Sequence, residues 1–343
     1  MRRVYLAGVI LAFGVGGAWV GAANLASPAG TPELSAAADA AAALPRLHSL
    51  LVSWRGTLLL ETYVHGTRAT TPANMKSASK SVISALVGIA IDRGLVGGVN
   101  QTIDTFFPET LDGETAAPKR AITIEDLLTM RSGLETTSNR NYGAWVLSRD
   151  WVRHALTRPL VARPGTRMVY STGNSHLLSA MLTKAAGTST WAFAQDALAD
   201  PIGFRLERWP TDPQGIYFGG NDMLMTPKQM LAFGELYLNR GRVNRRQIVP
   251  ARWIQESFVP RTESPRAGDR SYGYGWWIRD LAGHTTNYAW GYGGQFIFIV
   301  PDLDLVVVAT SVSTPSDDRR GHNGAVYDLV EDFVVRPIAA AAN

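Results

Sequence analysis

The sequence predicts an α/β (α+β) fold in which both ends of the chain build one antiparallel sheet, flanked by helices, and a mainly helical lobe is inserted between them. Short apolar runs bounded by turn residues lie near both ends of the 343-residue chain, whereas its middle shows the apolar spacing of helices. The turn Pro301–Asp304 joins two of these runs, so the two should pair as a hairpin. Strands at both ends with helices between them favour this arrangement over separate domains.

Composition describes a globular protein with enough apolar residues for a large core. Apolar residues make up 46% of the chain and the mean hydropathy is −0.02. The net charge is only +4, and no basic block interleaved with aromatic residues is present, which argues against nucleic acid as a partner. The lack of cysteine excludes disulfides, cysteine-ligated metals and a lipoprotein anchor. The six histidines have no ligand spacing, so we expect no metal and no other cofactor.

The N-terminal residues 1–23 have the pattern of an export signal. Arg2 and Arg3 precede the uncharged, mostly apolar run Val4–Ala23, and Gly21–Ala23 offers small residues for cleavage. The run is also long enough to span a bilayer, so it is either a cleaved signal peptide or a retained membrane anchor. In both cases we expect an extracytoplasmic protein, periplasmic or secreted.

The rest of the chain is predicted to be a linker followed by one domain with two lobes. The alanine-rich residues 24–45 should be a linker with little structure, and residues 46–343 the folded domain. Its α/β lobe comprises residues 46–98 and 260–343, and its helical lobe residues 99–259. A functional site is expected in the crevice between two such lobes.

The apolar runs and their turn residues define the individual elements. Arg55–Gly56 separates the first two strands as in a hairpin, and Thr226 before Pro227 is typical of a helix start. Strands are predicted at Leu47–Trp54, Thr57–Val64, Tyr272–Arg279, Thr285–Trp290, Gln295–Val300 and Leu305–Ser311. Helices are predicted at Ile124–Met130, Trp151–Thr157, His176–Ala186, Thr190–Ala197, Pro227–Asn239, Pro250–Glu256 and Ala325–Val335.

A candidate nucleophile lies at the start of a further helix. Ser81–Gly94 is apolar almost all round, with Gly94 as a stop, so it should be a buried helix. Ser77 then falls near its first turn, and Lys80 lies one turn on, on the same face. A serine hydroxyl needs a neighbouring base, and a lysine can be that base when burial keeps it neutral. The alternative is that Ser77 caps a core helix and Lys80 is a surface charge.

Other stretches carry residue types that would complete such a site. Tyr170 precedes the helix at His176–Ala186 and can relay a proton, or it is a packed ring with a satisfied hydroxyl. The paired glycines of Trp290–Gln295 let a strand end come close enough to offer an N–H to an oxyanion, or they form an ordinary turn. Tyr142 and Trp145 either line an acyl pocket or belong to the core. His176 either contacts substrate or is only a helix-start residue.

Three motifs occur in a familiar order: Ser77–Lys80 as Ser-x-x-Lys, Tyr170–Thr172 as a variant of Tyr-x-Asn, and Tyr292–Gly294 in place of Lys/His-x-Gly. In this the chain resembles the serine β-lactamase and penicillin-binding-protein-like hydrolases. It is most similar to the branch that holds class C β-lactamases, family VIII carboxylesterases and 6-aminohexanoate-dimer hydrolases. The resemblance covers roughly residues 46 to 336 and extends to Asp126–Leu134, Gly219–Pro227 and Tyr272–Trp277.

The resemblance implies a β-lactamase/transpeptidase-like fold and a role for each matching residue. Ser77 would be acylated, Lys80 would be its base, and Tyr170 would activate water or protonate the leaving group. The backbone N–H groups of Ser77 and Gln295 would bind the oxyanion. With the aromatic candidates above, the predicted substrate-binding residues are Tyr142, Trp145, Thr172, Asn174, Tyr292, Gly293 and Gly294.

Two departures from the family pattern bear on the substrate. Thr172 replaces the usual Asn, and Asn174 lies about 200° further round a helix, so it need not substitute. Tyr292 stands where penicillin-recognising members carry Lys, and a neutral phenol lacks the charge that holds a carboxylate, although an arginine could supply it.

We therefore expect a carboxylesterase or amidase acting on small-molecule esters or amides. A class C-type β-lactamase or D,D-peptidase is the first alternative, and a non-catalytic binding protein on the same fold is another. The chain has no Gly-x-Ser-x-Gly elbow, so an α/β-hydrolase triad lacks its nucleophile motif.

Overall fold

The computed structural model describes residues 32–265 and 269–342. Residues from Pro32 onward form one compact unit. The predicted signal peptide or anchor, Val4–Ala23, lies outside the described residues. Within the described ranges, none of the helices is both long enough and apolar enough to cross a bilayer.

The described chain alternates between strands near its ends and helices in its middle. The strands are β1 Leu47–Trp54, β2 Thr57–Tyr63, β3 Ala73–Asn74, β4 Leu224–Met225, β5 Arg242–Val243, β6 Arg246–Gln247, β7 Thr262–Glu263, β8 Ser271–Tyr272, β9 Trp277–Leu281, β10 His284–Gly291, β11 Gln295–Val300 and β12 Leu305–Ser311. The helices are α1 Ser35–Ala42, α2 Ser79–Asp92, α3 Ile124–Leu128, α4 Tyr142–Val146, α5 Trp151–Thr157, α6 Thr172–Ala186, α7 Thr190–Ala194, α8 Asp200–Ile202, α9 Pro227–Leu238, α10 Ala251–Ser257, α11 Arg319–Val330 and α12 Arg336–Ala342. Short 3-10 and π-helical segments adjoin them at Lys76–Ala78, Ile103–Thr105, Glu114–Lys119, Asn139–Asn141, Gln195–Ala199, Pro301–Leu303 and Glu331–Val335.

One antiparallel sheet of eight strands organises the protein, in the order β2-β1-β12-β11-β10-β9-β8-β7. The first strand of the chain therefore pairs with the last, and the hydroxyls of Ser49 and Thr310 lie 2.6 Å apart across that pair. Strands β11 and β12 pair through the turn at Pro301–Asp304, as the sequence predicted. The predicted fold class is confirmed.

The central strands are buried on both faces, which explains their unbroken apolar runs. In β11, Ile297 and Ile299 point into the core that also contains α2 and α9. Phe296, Phe298 and Val300 point into a second core formed with α1, α11 and α12. The sheet thus lies between a terminal helical layer and a layer that includes the predicted nucleophile helix.

The prediction of a structureless linker is wrong for part of residues 24–45. Ser35–Ala42 forms α1, which packs on β1 and α11. Ala37 and Ala41 lie on one face of this helix and are fully buried. Alanine has the highest helix propensity, so an alanine-rich segment becomes helical once one of its faces is covered.

Helix α6 begins four residues earlier than predicted, at Thr172 instead of His176. Its first backbone N–H groups are satisfied by side chains from a distant loop. Thr172 N–H donates to Ser138 Oγ at 2.9 Å, and Gly173 N–H donates to Thr137 Oγ1 at 2.8 Å. Such tertiary capping leaves no local sequence signal, and the polar first turn shows no helical apolar spacing.

The single strand predicted at Tyr272–Arg279 is divided into β8 and β9. The intervening residues fold into a tight turn in which Gly273 N–H donates to the carbonyl of Trp276 at 2.9 Å. The Gly275 carbonyl accepts from Ser81 Oγ on α2 at 2.7 Å, which ties this turn to the helix. At the C-terminus, the helix expected from Ala325 begins at Arg319 and continues through a π segment into α12.

The predicted start of α9 is confirmed in detail. Thr226 Oγ1 accepts from Gln229 N–H at 3.3 Å, and the Gln229 side chain accepts from Thr226 N–H at 2.8 Å. This reciprocal capping box, followed by Pro227 at the first helical position, satisfies two N–H groups of the helix end. Helix α9 packs against β11 and β12, so its start contributes to the core.

Replacing Thr226 by Ala should lower the free energy of unfolding by about 1 kcal/mol, because the first turn of α9 loses its acceptor. The measurement is urea unfolding followed by circular dichroism. Thr226→Ser keeps the hydroxyl and should remain within a few tenths of a kcal/mol of wild type. Equal losses in both variants would show that the hydroxyl does not stabilise the helix.

Candidate active site

The predicted nucleophile lies where the sheet meets the start of α2. Ser77 is partly exposed within the 3-10 turn Lys76–Ala78. Gly291 at the end of β10 packs directly against the backbone of this turn, because a Cβ at Gly291 would lie 2.0 Å from the Met75 carbonyl oxygen. Only glycine permits so close an approach. The end of β10 is therefore held beside the turn that contains Ser77.

The amine of Lys80 makes three polar contacts that fix its position. Lys80 Nζ lies 3.0 Å from Ser77 Oγ, 2.7 Å from the Gly220 carbonyl oxygen and 3.4 Å from Thr172 Oγ1. Lys80 is 3% exposed, so the alternative of a surface charge is excluded. The structure therefore contains the predicted contact between the Ser77 hydroxyl and the Lys80 amine, on one face of the helix start.

Burial makes the charged form of Lys80 unfavourable. It lowers the pKa of Lys80 from its ordinary value of 10.5 to about 7. Among the described residues, no carboxylate lies within 4.0 Å of the Lys80 amine to oppose this effect. Because the surroundings of α2 are apolar, the Lys80 amine can be uncharged near neutral pH.

Tyr170 lies against both Ser77 and Lys80. The Lys80 amine is 5.3 Å from the centre of the Tyr170 ring. Burial raises the pKa of Tyr170 to about 12, opposed by a hydrogen-bonding interaction with Ser77. The ring is stacked on Trp277 at 5.9 Å and packs edge-on against Tyr272 at 6.4 Å, which fixes its orientation. The phenol therefore stays protonated at neutral pH, beside the candidate nucleophile.

The structure separates the roles of Thr172 and Asn174. Thr172 Oγ1 contacts the Lys80 amine and lies 3.0 Å from Ser138 Oγ, so Thr172 occupies a position in the candidate site. Asn174 is 1% exposed, and its side-chain oxygen accepts from Ser132 Oγ at 3.0 Å. The prediction that Asn174 binds substrate is wrong, because the first turn of α6 directs this side chain into the interior.

The glycine-rich turn after β10 connects two strands that both contact the 3-10 turn containing Ser77. Tyr292 is 36% exposed, and Gly293 and Gly294 complete the turn to β11. The carbonyl of Gly294 accepts from Ser311 Oγ at 2.9 Å, and the Gln295 side chain donates to the Ser311 carbonyl at 2.6 Å. The Gln295 side chain is therefore buried and hydrogen-bonded to Ser311. The oxyanion-binding role of the Gln295 backbone N–H remains a prediction.

The two aromatic candidates before Tyr170 also differ. Trp145 is fully buried, and its indole N–H donates to the Trp151 carbonyl at 3.0 Å. It belongs to the core, so its prediction as a substrate-binding residue is wrong. Tyr142 is partly exposed, and its hydroxyl accepts from Asn221 Nδ2 at 2.7 Å. Tyr142 thus lies next to the Gly219–Asp222 segment that also reaches Lys80.

Sequence reasoning missed a polar cluster around Lys76, the residue before the nucleophile. Lys76 has a left-handed backbone, with φ of +49°, which is uncommon for a residue other than glycine. Its N–H donates to Asn74 Oδ1 at 3.0 Å, and its amine pairs with Asp222 at 2.7 Å. Asn74 Nδ2 also donates to Asp222 at 2.8 Å. The stretch Gly219–Pro227 contains Asp222 and was the sequence feature that could have indicated this cluster. Nothing in the stretch, however, indicates that Asp222 pairs with Lys76.

Two other contributors were missed because they act through groups with little sequence signature. Gly220 binds the Lys80 amine through its backbone carbonyl, which every residue type has. Ser138 contacts Thr172 from a loop more than thirty residues earlier in the chain. Within the described ranges, no group of three or more His, Asp or Glu side chains is placed to hold a metal ion.

Comparison with known proteins agrees with the resemblance predicted from the motifs. The family model for Beta-lactamase matches residues 48–331. None of the curated proteins matches the chain. The match covers the sheet-forming region from the second residue of β1 to the end of α11, including Ser77, Lys80 and Tyr170.

Solved structures that resemble this one have different assigned activities. A Bacillus anthracis protein proposed to be a 6-aminohexanoate-dimer hydrolase is 21% identical, with a TM-score of 0.71 over 87% of this chain and 80% of its own. A family VIII carboxylesterase is 17% identical, with a TM-score of 0.67 over 87% of this chain and 98% of its own. An octameric penicillin-binding protein homologue from Pyrococcus abyssi is 18% identical, with a TM-score of 0.63 over 84% and 73%. At these identities the likeness establishes the fold.

Replacing Lys80 by Met should remove a pH-dependent component of stability. In the unfolded chain Lys80 titrates near 10.5 and in the folded chain near 7, so folding between these pH values releases a proton. Wild-type stability should therefore decrease as the pH falls from 10.5 towards 7, by up to about 1.4 kcal/mol per pH unit. In Lys80→Met this decrease should be absent.

The measurement is urea unfolding of both proteins at several pH values between 7 and 10. Lys228→Met removes an exposed lysine and serves as the matched control, with a pH dependence expected to match wild type. If Lys80→Met and wild type change in parallel, the buried amine remains charged over this pH range and burial has not lowered its pKa.

Proposed function

The chain belongs to the Beta-lactamase family, and on that basis we propose that it is a serine hydrolase that transfers an acyl group to Ser77 and then to water. The observation that carries the proposal is the 3.0 Å contact between Ser77 Oγ and the buried Lys80 amine. With a pKa of about 7, that amine is available as a neutral base at and above neutral pH.

In the proposed acylation step, Lys80 Nζ takes the proton of Ser77 Oγ while the oxygen attacks the carbonyl carbon of the substrate. Negative charge then develops on the carbonyl oxygen. We assign its stabilisation to the backbone N–H groups of Ser77 and Gln295, supported by the close packing of Gly291 on the nucleophile turn. The loss of one such donor typically raises the barrier by about 3–4 kcal/mol.

Tyr170 is assigned the proton transfer to the leaving group. Its pKa of about 12 keeps the phenol protonated at neutral pH, so it can donate a proton as the bond to the leaving group breaks. The proton that Lys80 received then returns to the phenolate of Tyr170, whose ring lies against the Lys80 amine. In deacylation, water attacks the acyl carbon and Lys80 accepts the water proton. Lys80 then returns this proton to Ser77 Oγ as the bond between Ser77 Oγ and the acyl carbon breaks.

The substrate we propose is a small-molecule ester or amide, which makes the protein a carboxylesterase or an amidase. Tyr292 supports this assignment, because its neutral phenol replaces the lysine that would hold a substrate carboxylate. Among the similar structures are a family VIII carboxylesterase and a protein proposed to hydrolyse 6-aminohexanoate dimers, which are an esterase and an amide hydrolase on this fold.

One observation favours a second candidate, a β-lactamase or D,D-peptidase acting on substrates that carry a carboxylate. The guanidinium of Arg319 lies 4.9 Å from the centre of the exposed Tyr292 ring. Among the described residues no carboxylate lies within 4.0 Å of Arg319, whose guanidinium donates to the Ser316 carbonyl at 3.1 Å, so its charge is not neutralised by an ion pair. Arginine binds carboxylates in a bidentate manner, and here it would replace the missing lysine.

We also propose an extracytoplasmic location, on the basis of the apolar run Val4–Ala23 after two arginines. In this proposal the run is either removed as a signal peptide or retained as an anchor.

A fluorophosphonate probe should label the folded protein on Ser77, and mass spectrometry of the digest should place the adduct there. Ser77→Ala should abolish labelling, and Lys80→Ala should reduce it by orders of magnitude, because members of one catalytic unit do not act additively. Tyr170→Phe should lower turnover by about 10²–10⁴-fold. A folded wild-type protein that stays unlabelled would support a non-catalytic binding role and end the hydrolase proposal.

Turnover of p-nitrophenyl butyrate, a linear anilide and nitrocefin should separate the candidate activities. We expect the ester or the amide to be hydrolysed with a higher kcat/KM than nitrocefin, which carries a carboxylate. Arg319→Ala should leave the neutral substrates unchanged and reduce any nitrocefin turnover, because only nitrocefin offers a group for the guanidinium. Faster hydrolysis of nitrocefin, lost in Arg319→Ala, would establish the second candidate instead.

A further inference from the structure

A histidine and a carboxylate form a fully buried pair behind the candidate site. His176 Nε2 lies 3.0 Å from Asp212 Oδ2, and both side chains are 0% exposed. The imidazole is enclosed by the rings of Trp145, Trp151 and Phe218, at centroid distances between 5.3 and 5.9 Å. A residue so enclosed does not reach substrate, so the substrate-contact interpretation of His176 is wrong. A polar pair that is buried in this way is expected to have a structural or functional role.

The hydrogen bonds of this pair fix the tautomer of the imidazole. The backbone N–H of Gly219 donates to His176 Nδ1 at 3.4 Å, so Nδ1 carries a lone pair. The ring proton is then on Nε2, where it is donated to Asp212. The other carboxylate oxygen of Asp212 accepts from the backbone N–H groups of Gln214 at 2.9 Å and Ile216 at 2.8 Å. Asp212 is thereby held in one orientation.

The segment that His176 contacts is the one that binds the Lys80 amine. Gly219 and Gly220 lie between the start of α6 and the side chain of Lys80. A Cβ at Gly219 would be 2.1 Å from the Ser175 carbonyl oxygen, and a Cβ at Gly220 would be 2.6 Å from Lys80 Cγ. The Gly220 carbonyl then accepts the shortest of the Lys80 hydrogen bonds, at 2.7 Å. Displacement of this segment would move the acceptor and open space beside the amine.

We propose that His176 is a positioning residue: with its tautomer set by Asp212, it holds Gly219–Gly220 so that the Gly220 carbonyl directs the Lys80 amine at Ser77. This inference rests on the proposed role of Lys80 as the base. The chain of contacts runs from Asp212 through His176 and the two glycines to Lys80, and none of its first three members touches Ser77.

Asp212→Asn tests the proposal with almost no change of shape. The amide oxygen of the variant can keep the two backbone N–H donors, which leaves its NH2 group facing His176 Nε2. Nε2 must then accept, and the proton moves to Nδ1, where it opposes the N–H of Gly219. An equivalent tautomer error in the Ser-His-Asp triad severely impairs catalysis without changing the fold.

Three readouts follow from this change. In nitrogen-15 spectra of the imidazoles, His176 should change from the Nε2–H to the Nδ1–H tautomer. The maximal rate of Ser77 labelling by the fluorophosphonate should fall by about 10²-fold, as expected for a misplaced reacting group, with the half-saturating probe concentration unchanged. The acid limb of the rate profile should also shift to higher pH, because water entering beside Lys80 stabilises its ammonium form. Tyr170 is the other titratable group facing Lys80, and Asp212→Asn does not alter it.

Asp302→Asn is the matched control. It makes the same substitution in another His–Asp pair of the described residues, His284 and Asp302 at 2.6 Å, which lies exposed at a turn of the sheet. Its labelling rate and pH profile should equal those of wild type. An Asp212→Asn protein that labels like wild type while Lys80→Ala is slow would overturn the positioning proposal alone. Normal labelling of Lys80→Ala would overturn the proposed function itself.

A second pair of variants decides the matter if Asp212→Asn does not fold. His176→Asn places an amide oxygen near the position of Nδ1 and can still accept from Gly219 N–H, whereas His176→Leu fills similar space without an acceptor. We expect His176→Asn to label at least about ten-fold faster than His176→Leu when rates are normalised to folded protein. Equal rates would show that the histidine only fills volume.

Discussion

The withdrawal of the Lys80 amine from water, without a counter-charge, is the physical constraint on which the rest of the site depends. A lysine on the surface would be charged and could not accept a proton from Ser77. Helix α2 prevents this because residues around its whole circumference are buried, among them Val82 and Leu86. Burying the amine lowers the stability of the folded protein. In return, the amine can be uncharged near neutral pH.

The sheet and the helical insertion each contribute one side of this environment. From the sheet come the close packing of Gly291 on the nucleophile turn and the rings of Trp277 and Tyr272 that orient Tyr170. From the insertion come Thr172 and Gly220, which bind the amine. Neither part contains the complete candidate site, which is consistent with the preference of binding sites for the border between two packed parts of a protein.

Sequence patterns predicted well those features that depend on local residue types. The limits of β1, β11 and β12 were predicted correctly because apolar runs end there at turn residues. The spacing of Ser77 and Lys80 is likewise a property of one helix start. Features that depend on tertiary partners were not predicted: the early start of α6 requires hydroxyls from Thr137 and Ser138. Trp145 was predicted to line a pocket because an aromatic side chain has the same local pattern whether it faces a cavity or a core.

The pairing of the first strand with the last has a consequence for how the protein acquires its chemistry. Ser49 and Thr310 are 261 positions apart, so the centre of the sheet closes only when nearly the whole chain is present. Contacts this distant in sequence form slowly during folding. During synthesis, the helix with Ser77 emerges long before β10 and β11 exist to lie beside it. The contacts around the Ser77 hydroxyl are therefore expected to be completed last, once the C-terminal strands have docked.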